Sequence, residues 1–404
     1  MIDEFDAIDT TTETAPAEDL ILPDGVYFDL DETLYHRLHR MSASALKKVM
    51  VSAPTYWAQS WMNPEREEKP RTDAQRYGSA YHCAILEPAL FDAKYCKAFT
   101  AADMAPGPKC LSSSDVMAAL KEMGQAQTKK GESVVEKAER LKALGYPHPI
   151  WTLEEPKWRA SIGDKVVLTE GEHDAITRDQ EVMLGIKDIA DLFTDGFAEV
   201  SVLWTDPDSG IQFKARMDYL KVDGYNDLKT YANPMDKITR NHLKDAFRFN
   251  GYYVQWVLYW KAYEAIRAGL EAAEGSTAEQ EMMIELIHQR EIPGQAHFAF
   301  QEKGGIPNGF KVTPLIYGAQ LTQADDGALY YGDAMIKSGT MPAIQHSELF
   351  RRGLYDIYNA SYTFQTYLKK YGDEGALWYP LETSIELSDA DYPDFFLDPE
   401  GERA

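Results

Sequence analysis

Asp218, Asp227 and Lys229 are the residues of this 404-residue chain whose types and spacing most invite chemistry. They flank Asp223-Gly224, a two-residue hairpin signal. A turn there pairs Val222 with Tyr225, Leu220 with Asp227 and Asp218 with Lys229. Side chains alternate along a strand and paired neighbours share a face. All three should therefore project from one side of a sheet. Two carboxylates and an ammonium within a few ångströms are costly unless something binds between them. A divalent cation removes that cost. Hard oxygen ligands suit Mg²⁺ or Mn²⁺, which keep waters and reach substrate phosphates. Glu199, on the strand before, comes close to Asp218 across the 206–210 turn and can add a ligand or a base.

An Asp-x-Lys on a strand is commonplace, so its company matters. His82 closes Gly78-Ser79-Ala80-Tyr81-His82 on a helix, where the plainer reading is a capped or core histidine. Gln255-x-x-x-Tyr259 puts two polar tips on one helical face, though that helix is rich in aromatics and ordinary packing would also explain it. Lys237, Arg240, Lys244 and Arg248 are spaced three, four and four apart and form one cationic stripe on a helix. Such a stripe is either a solvated charged face or a rail for phosphates leading toward the carboxylates.

The elements that must position these groups can be read from pattern. Residues 42–62 read as two short helices, the second opened by Pro54. Residues 72–87 form a helix ended by Pro88. Two small helices around a Gly-containing turn follow within 112–144. FAEVSVLWT, IQFKARMDYLKV and YNDLKT read as three successive strands. Helices over 234–248 and about 250–268 come next. HFAFQEK and FKVTPLI, joined by GGIPNG, make another hairpin, and 340–371 is helical. The order gives a mixed α/β (α+β) fold, a central mixed sheet flanked by helices.

The formal charge of −24 argues against a basic nucleic-acid footprint over the whole surface. A local basic strip with bound cations can still accept phosphate. Cys83, Cys96 and Cys110 are an odd count with no C-x-x-C pair, which argues against a disulfide framework, a zinc site and an iron–sulfur cluster. A reducing cytoplasm fits that usage. No apolar run is long enough for a membrane span. Residues 1–24 read as a disordered acidic tail. From Glu382 the chain carries eight acidic residues and one Arg.

Gly-x-x-x-His, Glu199, Asp218, Asp227-Leu228-Lys229-Thr230 and Gln255-x-x-x-Tyr259 occur in the order of RecB-like PD-(D/E)XK nucleases. The wider text resembles the exonuclease VIII (RecE-type) branch of that superfamily, which implies a phage or prophage origin. The blocks are MSASALKKVMVSAP, GSAYHCAILEPALFDAKY, ARMDYLKVDGYNDLKT, GYYVQWVLY and FAFQEKGGIPNGFKV, spread over roughly residues 40–320. Met217 stands where a Pro is usual. The resemblance implies a restriction-endonuclease-like core over 25–340. It also implies a helical insertion at about 108–150, either SAP-like or plain. A helical extension and acidic tail would occupy 341–404.

The resemblance further implies Mg²⁺-dependent phosphodiester hydrolysis in the cytoplasm of a bacterial host. Asp218, Asp227, His82 and the Leu228 carbonyl would be metal ligands, and Lys229 would orient the attacking water. Gln255 and Tyr259 would hold the scissile strand or brace the ligands. The implied activity is a 5′→3′ exonuclease on double-stranded DNA ends, acting as a tetrameric ring beside a RecT-like single-strand annealing protein. An endonuclease or flap nuclease of the same fold, and a catalytically silent DNA-binding or assembly module, are the alternatives.

Overall fold

The computed structural model describes residues 21–67, 72–232, 239–303, 308–317, 321–323, 329–331, 334–336, 346–373 and 376–381. At its centre lies a six-stranded sheet. The strand order is β1 (Gly25–Tyr27), β4 (Gly196–Thr205), β5 (Gln212–Lys221), β6 (Gly224–Ala232), β7 (Gln295–Lys303) and β8 (Gly309–Val312). Neighbours run antiparallel except β6 and β7, which are parallel. A parallel pair needs a long crossover. Here α11 (Thr239–Phe249), α12 (Tyr252–Arg267) and α13 (Ala278–His288) lie between the two strands. The short strands β2 (Tyr95–Lys97) and β3 (Val166–Leu168) pair in parallel. A meander comprises β9 (Leu321–Gln323), β10 (Leu329–Tyr331) and β11 (Ala334–Ile336).

Helices cover both faces of the large sheet, as the element order implied. One face carries α12 together with α2 (Ala43–Val51), α3 (Ala53–Gln59) and α14 (Glu348–Tyr371). Leu46, Tyr56, Trp256, Val257 and Phe350 from these helices share one core with Val200, Val202, Met217 and Tyr225 of the sheet. The other face carries α4 (Asp73–Leu86), α5 (Pro88–Lys94), α9 (Glu170–Gly185) and α10 (Lys187–Ala190), whose Tyr81, Ile176 and Met183 pack with Tyr219, Leu228 and Ala299. Each fully buried aliphatic or aromatic side chain contributes about 1.5–3 kcal/mol of hydrophobic stabilisation. A satellite core around Leu120, Leu141 and Ile150 joins α6 (Ser113–Glu122), α7 (Val134–Ala143) and the start of α8 (Trp151–Ile162).

The β5–β6 hairpin differs from the expected pairing. Lys221 pairs with Gly224, Leu220 with Tyr225 and Tyr219 with Asn226, so Val222 and Asp223 form the turn. Gly224 belongs to the strand because its φ is +154° and the backbone of β7 lies against it. A Cβ there would fall 1.8 Å from the Gln295 carbonyl oxygen. Both strands are displaced by one residue relative to the expectation, so side-chain parity is preserved. Extending the observed register sets Asp218 opposite Asp227, not opposite Lys229.

Other boundaries moved less. Pro54 sits in the first turn of α3, while Pro88 opens α5 as well as following α4. The helix expected from 234 starts at Thr239, and 233–238 lie outside the described residues. Residues 1–20 and 382–404, which hold most of the two acidic tails, also lie outside them. All three cysteines are free. Among the described residues, no helix is long and apolar enough to cross a membrane.

Candidate active site

The β5–β6 ladder stops after Tyr219–Asn226, and that opening admits groups from both faces of the sheet. On β6, Leu228 packs toward α4 and α9, while Tyr225 and Tyr231 pack toward α12. Asp227 and Lys229 share the parity of those tyrosines and so face α12. Asp218 behaves differently from the expectation of one common face. Its Oδ2 reaches between the strands and accepts a 2.7 Å hydrogen bond from the Leu228 N–H. On the β4 side, Val200 pairs with Met217 and Ala198 with Tyr219, but the ladder skips Glu199 and Asp218. Glu199 has φ +55° there. The inward-facing parity of both strands switches at this break, since Val200 and Met217 belong to the α12 core while Ala198 and Tyr219 pack on the α4 side.

Two helices complete the site. A capping box between Thr72 and Gln75 fixes the start of α4. From there Gln75, Gly78, Ser79 and His82 recur at helical spacing and line a cleft. His82 Nδ1 lies 3.6 Å from Asp218 Oδ2. From the opposite face, Gln255 of α12 donates a 2.8 Å hydrogen bond to Asp227 Oδ1. Tyr259, one turn on, hydrogen-bonds Gln255 and stands edge-on to Tyr225 at 6.0 Å. Lys229 Nζ is 2.5 Å from Asp227 Oδ2 and lies over the Tyr252 ring at 5.6 Å. The Leu228 carbonyl is a hydrogen-bond partner of the His82 ring and lies 3.5 Å from Lys229 Nζ.

The electrostatics of this cluster favour a cation. Burial and the Asp218 charge push the Asp227 carboxyl up to about 6, against the opposing pull of Lys229. Burial also raises Asp218, and burial with the Asp218 charge raises Glu199 despite Arg216 beside it. His82 is pushed down by burial and by Lys229, which keeps its ring neutral and able to ligate. Burial works against the Lys229 ammonium, but Asp227 and Asp218 outweigh it and raise its pKa.

His82, Glu199 and Asp218 can each offer a ligand atom within 4.8 Å of the others. Asp227 Oδ2 is buried and meets the Lys229 ammonium at 2.5 Å. Carboxylate oxygens and an imidazole nitrogen, all three acids held above their ordinary range, fit a hard divalent cation. Of the acids expected near a metal, Glu199 and Asp218 converge with His82, and Asp227 is turned to Gln255 and Lys229 beside them.

Arg216 is the site residue that pattern did not single out. Its Nε donates to Glu199 Oε2 at 2.7 Å, and Nη1 donates to the Leu30 carbonyl and to Ser201 Oγ. Its signal was visible only as the residue two before Asp218 on the same strand. Lys214, two residues earlier, donates to the carbonyls of Tyr35, His36 and Leu38 at the end of α1 (Glu32–Arg37). These cations belong to the wall of a cleft of about 1980 Å³ whose floor includes His82, Glu199, Asp218, Gln255 and Tyr259. Eight Lys or Arg residues line it, Lys47, Lys48 and Arg66 among them, against six Asp or Glu.

The cationic stripe is in part confirmed as geometry. Arg240, Lys244 and Arg248 are exposed on one face of α11, whose other face buries Leu243, Ala246 and Phe247. They do not line the cleft. Lys237 lies outside the described residues. No family model matches the sequence, and no curated protein matches it either.

Proposed function

We propose that this chain is a Mg²⁺-dependent deoxyribonuclease with a PD-(D/E)XK core, of the RecB-like, exonuclease VIII type. The observation that carries the reading is the meeting of His82, Glu199 and Asp218 on the lining of a net-basic cleft, with the Asp227–Lys229 ion pair beside them where β5 and β6 part, in a chain of net charge −24. The acids alone would suit many hydrolases. Acids with one adjoining ammonium, under a wall that attracts polyanions, suit phosphodiesters.

Mg²⁺ held by His82, Glu199 and Asp218 would supply Lewis acidity to the phosphate and to the attacking water. Asp227, backed by Gln255, holds Lys229 in place. The Lys229 ammonium then orients the water and offsets charge developing on phosphorus, as a compact point charge can. Tyr259 braces Gln255 from the helical turn behind. Lys47 and Lys48 on the cleft wall hold the backbone of the bound strand without reading sequence.

By fold-level analogy the activity is 5′→3′ digestion of double-stranded DNA ends, in a ring that encloses the duplex. Topology would then hold an acidic protein on DNA without an overall basic surface. The test compares linear with covalently closed circular duplex in Mg²⁺, with an EDTA control. Degradation of linear DNA alone is expected. Equal cutting of closed circles replaces the exonuclease with an endonuclease, and no cutting of either removes the nuclease reading.

A further inference from the structure

We infer that the exposed face of α14 is a binding strip for single-stranded nucleic acid. Arg351, Tyr355, Tyr358, Tyr362 and Lys369 recur at helical spacing and lie along one side of the helix. Tyr355, Tyr358 and Tyr362 are 59%, 68% and 63% exposed. The helix cannot turn them inward. Its opposite side buries Phe350, Ile357 and Ala360, and Gly353 lies so close to α12 that a Cβ would stand 2.5 Å from Val257 Cγ2. Scattered exposed apolar residues need no account, but three large rings in line on a solvent face do. Solvent faces of helices usually carry charged and polar side chains.

The charges around the rings favour a polyanion. The chain has 65 Asp and Glu against 41 Lys and Arg, yet from 349 to 371 the only acid is Asp356. That carboxylate is buried, accepts from the Tyr253 hydroxyl at 2.7 Å and pairs with Arg352. Arg351 and Arg352 flank the rings at one end, and Lys369 and Lys370 at the other. Arg351 also pairs with Glu348. The Arg352 guanidinium lies 5.9 Å from the Tyr355 ring centroid.

Cations bordering a row of open rings match an unpaired strand, whose bases stack on aromatic faces for about 1–3 kcal/mol each. A duplex hides those base faces. A protein partner would sooner seat such rings in a desolvated pocket, whereas these stand on a convex helix. The strip runs about 27 Å from Arg351 to Lys369, long enough for a short single-strand site of roughly four nucleotides. Its buried side packs on α2 and α3, which supply Lys48 and Gln59 to the cleft wall. The inference rests on the nuclease reading only for the source of the strand, the one left when its complement is degraded.

The test measures fluorescence anisotropy of labelled oligothymidylate, and of a duplex of equal length, with the full chain in EDTA. Replacing Tyr355, Tyr358 and Tyr362 together by Ala should weaken oligothymidylate binding by about 30-fold or more, while duplex binding changes by less than about threefold. Replacing the same three by Phe keeps the rings and should hold single-strand affinity within about threefold. Circular dichroism confirms that the variants fold, and sedimentation follows their oligomeric state. No single-strand binding by the wild type, or full binding by the Ala variant, overturns the strip. So does a changed oligomeric state with single-strand affinity intact, which would mark a protein interface. Duplex cleavage in Mg²⁺, measured in parallel, judges the nuclease reading separately: its absence leaves a single-strand strip standing.

Discussion

Glu199 sits in a left-handed backbone conformation, φ +55°, and Arg216 Nε holds its carboxylate with a 2.7 Å hydrogen bond. A non-glycine residue there costs roughly 1–2 kcal/mol. The conformation aims the Glu199 carboxylate toward Asp218 and His82 at the point where the β4–β5 ladder skips a pair. Arg216 offsets the charge of that carboxylate beside Asp218.

Arg216→Gln should therefore destabilise the metal-free protein by about 3 kcal/mol, because it leaves a mostly buried carboxylate unpaired. Millimolar Mg²⁺ should return part of that loss by taking the place of the guanidinium. Thermal unfolding in EDTA and in Mg²⁺ reads both effects. A deficit of the same size in the two conditions would mean that Glu199 does not face the metal.

The donor triad and the ion pair behind it should separate by measurement. Glu199→Ala and Asp218→Ala should each lower Mn²⁺ affinity by about tenfold or more, the scale seen even for outer partners of metal ligands. Lys229→Ala should abolish DNA cleavage with Mn²⁺ affinity nearly unchanged. Asp227→Ala should also abolish cleavage, with a smaller loss of metal affinity than Asp218→Ala. Calorimetric titration of Mn²⁺ beside a cleavage assay distinguishes these classes. Full activity of Lys229→Ala, or activity that survives excess EDTA, would sink the assignment.

Much of this site is legible in the sequence because strands and helices impose short periods. Period-two alternation alone places Asp227 and Lys229 on one face, and the spacing of Gln255 and Tyr259 puts both on one side of α12. The hairpin register was not legible. It depends on the β7 backbone at Gln295 pressing on Gly224, a contact across 71 positions of chain that no local turn signal reports. The role of Arg216 was hidden for a similar reason, since it follows from a positive φ at Glu199, which β-forming sequence does not announce. The cleft wall joins residues 28–66 to 197–218, and only the folded sheet brings those segments together.

His297 gives the fold a pH dependence of definite sign. It lies on β7 opposite Asn226, beside the site strand, and its Nδ1 is 2.7 Å from Thr313 Oγ1. Burial, with help from Lys311, pushes its pKa from 6.5 down to about 4. The unfolded chain therefore binds more protons between those values, and stability rises with pH across that window. The contribution is fully present above pH 6.5 and is lost as pH falls toward 4. Its size is roughly 2–3 kcal/mol. The raised Asp227 carboxyl contributes with the opposite sign between about 4 and 6, so the His297 part is read as a difference: urea unfolding at several pH values should show the stability of His297→Gln rising less with pH than that of the wild type. An unchanged slope in the variant would place the acid sensitivity elsewhere.

Arg240, Lys244 and Arg248 stand exposed along α11, outside the cleft lining, so they cannot act on the reacting phosphate. If the chain is the proposed nuclease, the part left to them is to track the backbone of a duplex before it enters the cleft. An acidic protein gains from such a rail because its net field repels DNA beyond the cleft. Phosphate contacts position DNA without reading sequence, and each one neutralised adds about 0.9 to the slope of log affinity against log salt. Arg240→Ala combined with Lys244→Ala should therefore weaken binding of unrelated duplex sequences about equally. The salt slope should fall by up to about 2. Single-turnover cleavage of prebound DNA should change little, since His82, Glu199, Asp218 and Lys229 are untouched. Binding and salt slope that match the wild type would make this stripe a solubilising face and leave DNA tracking to the cleft wall alone.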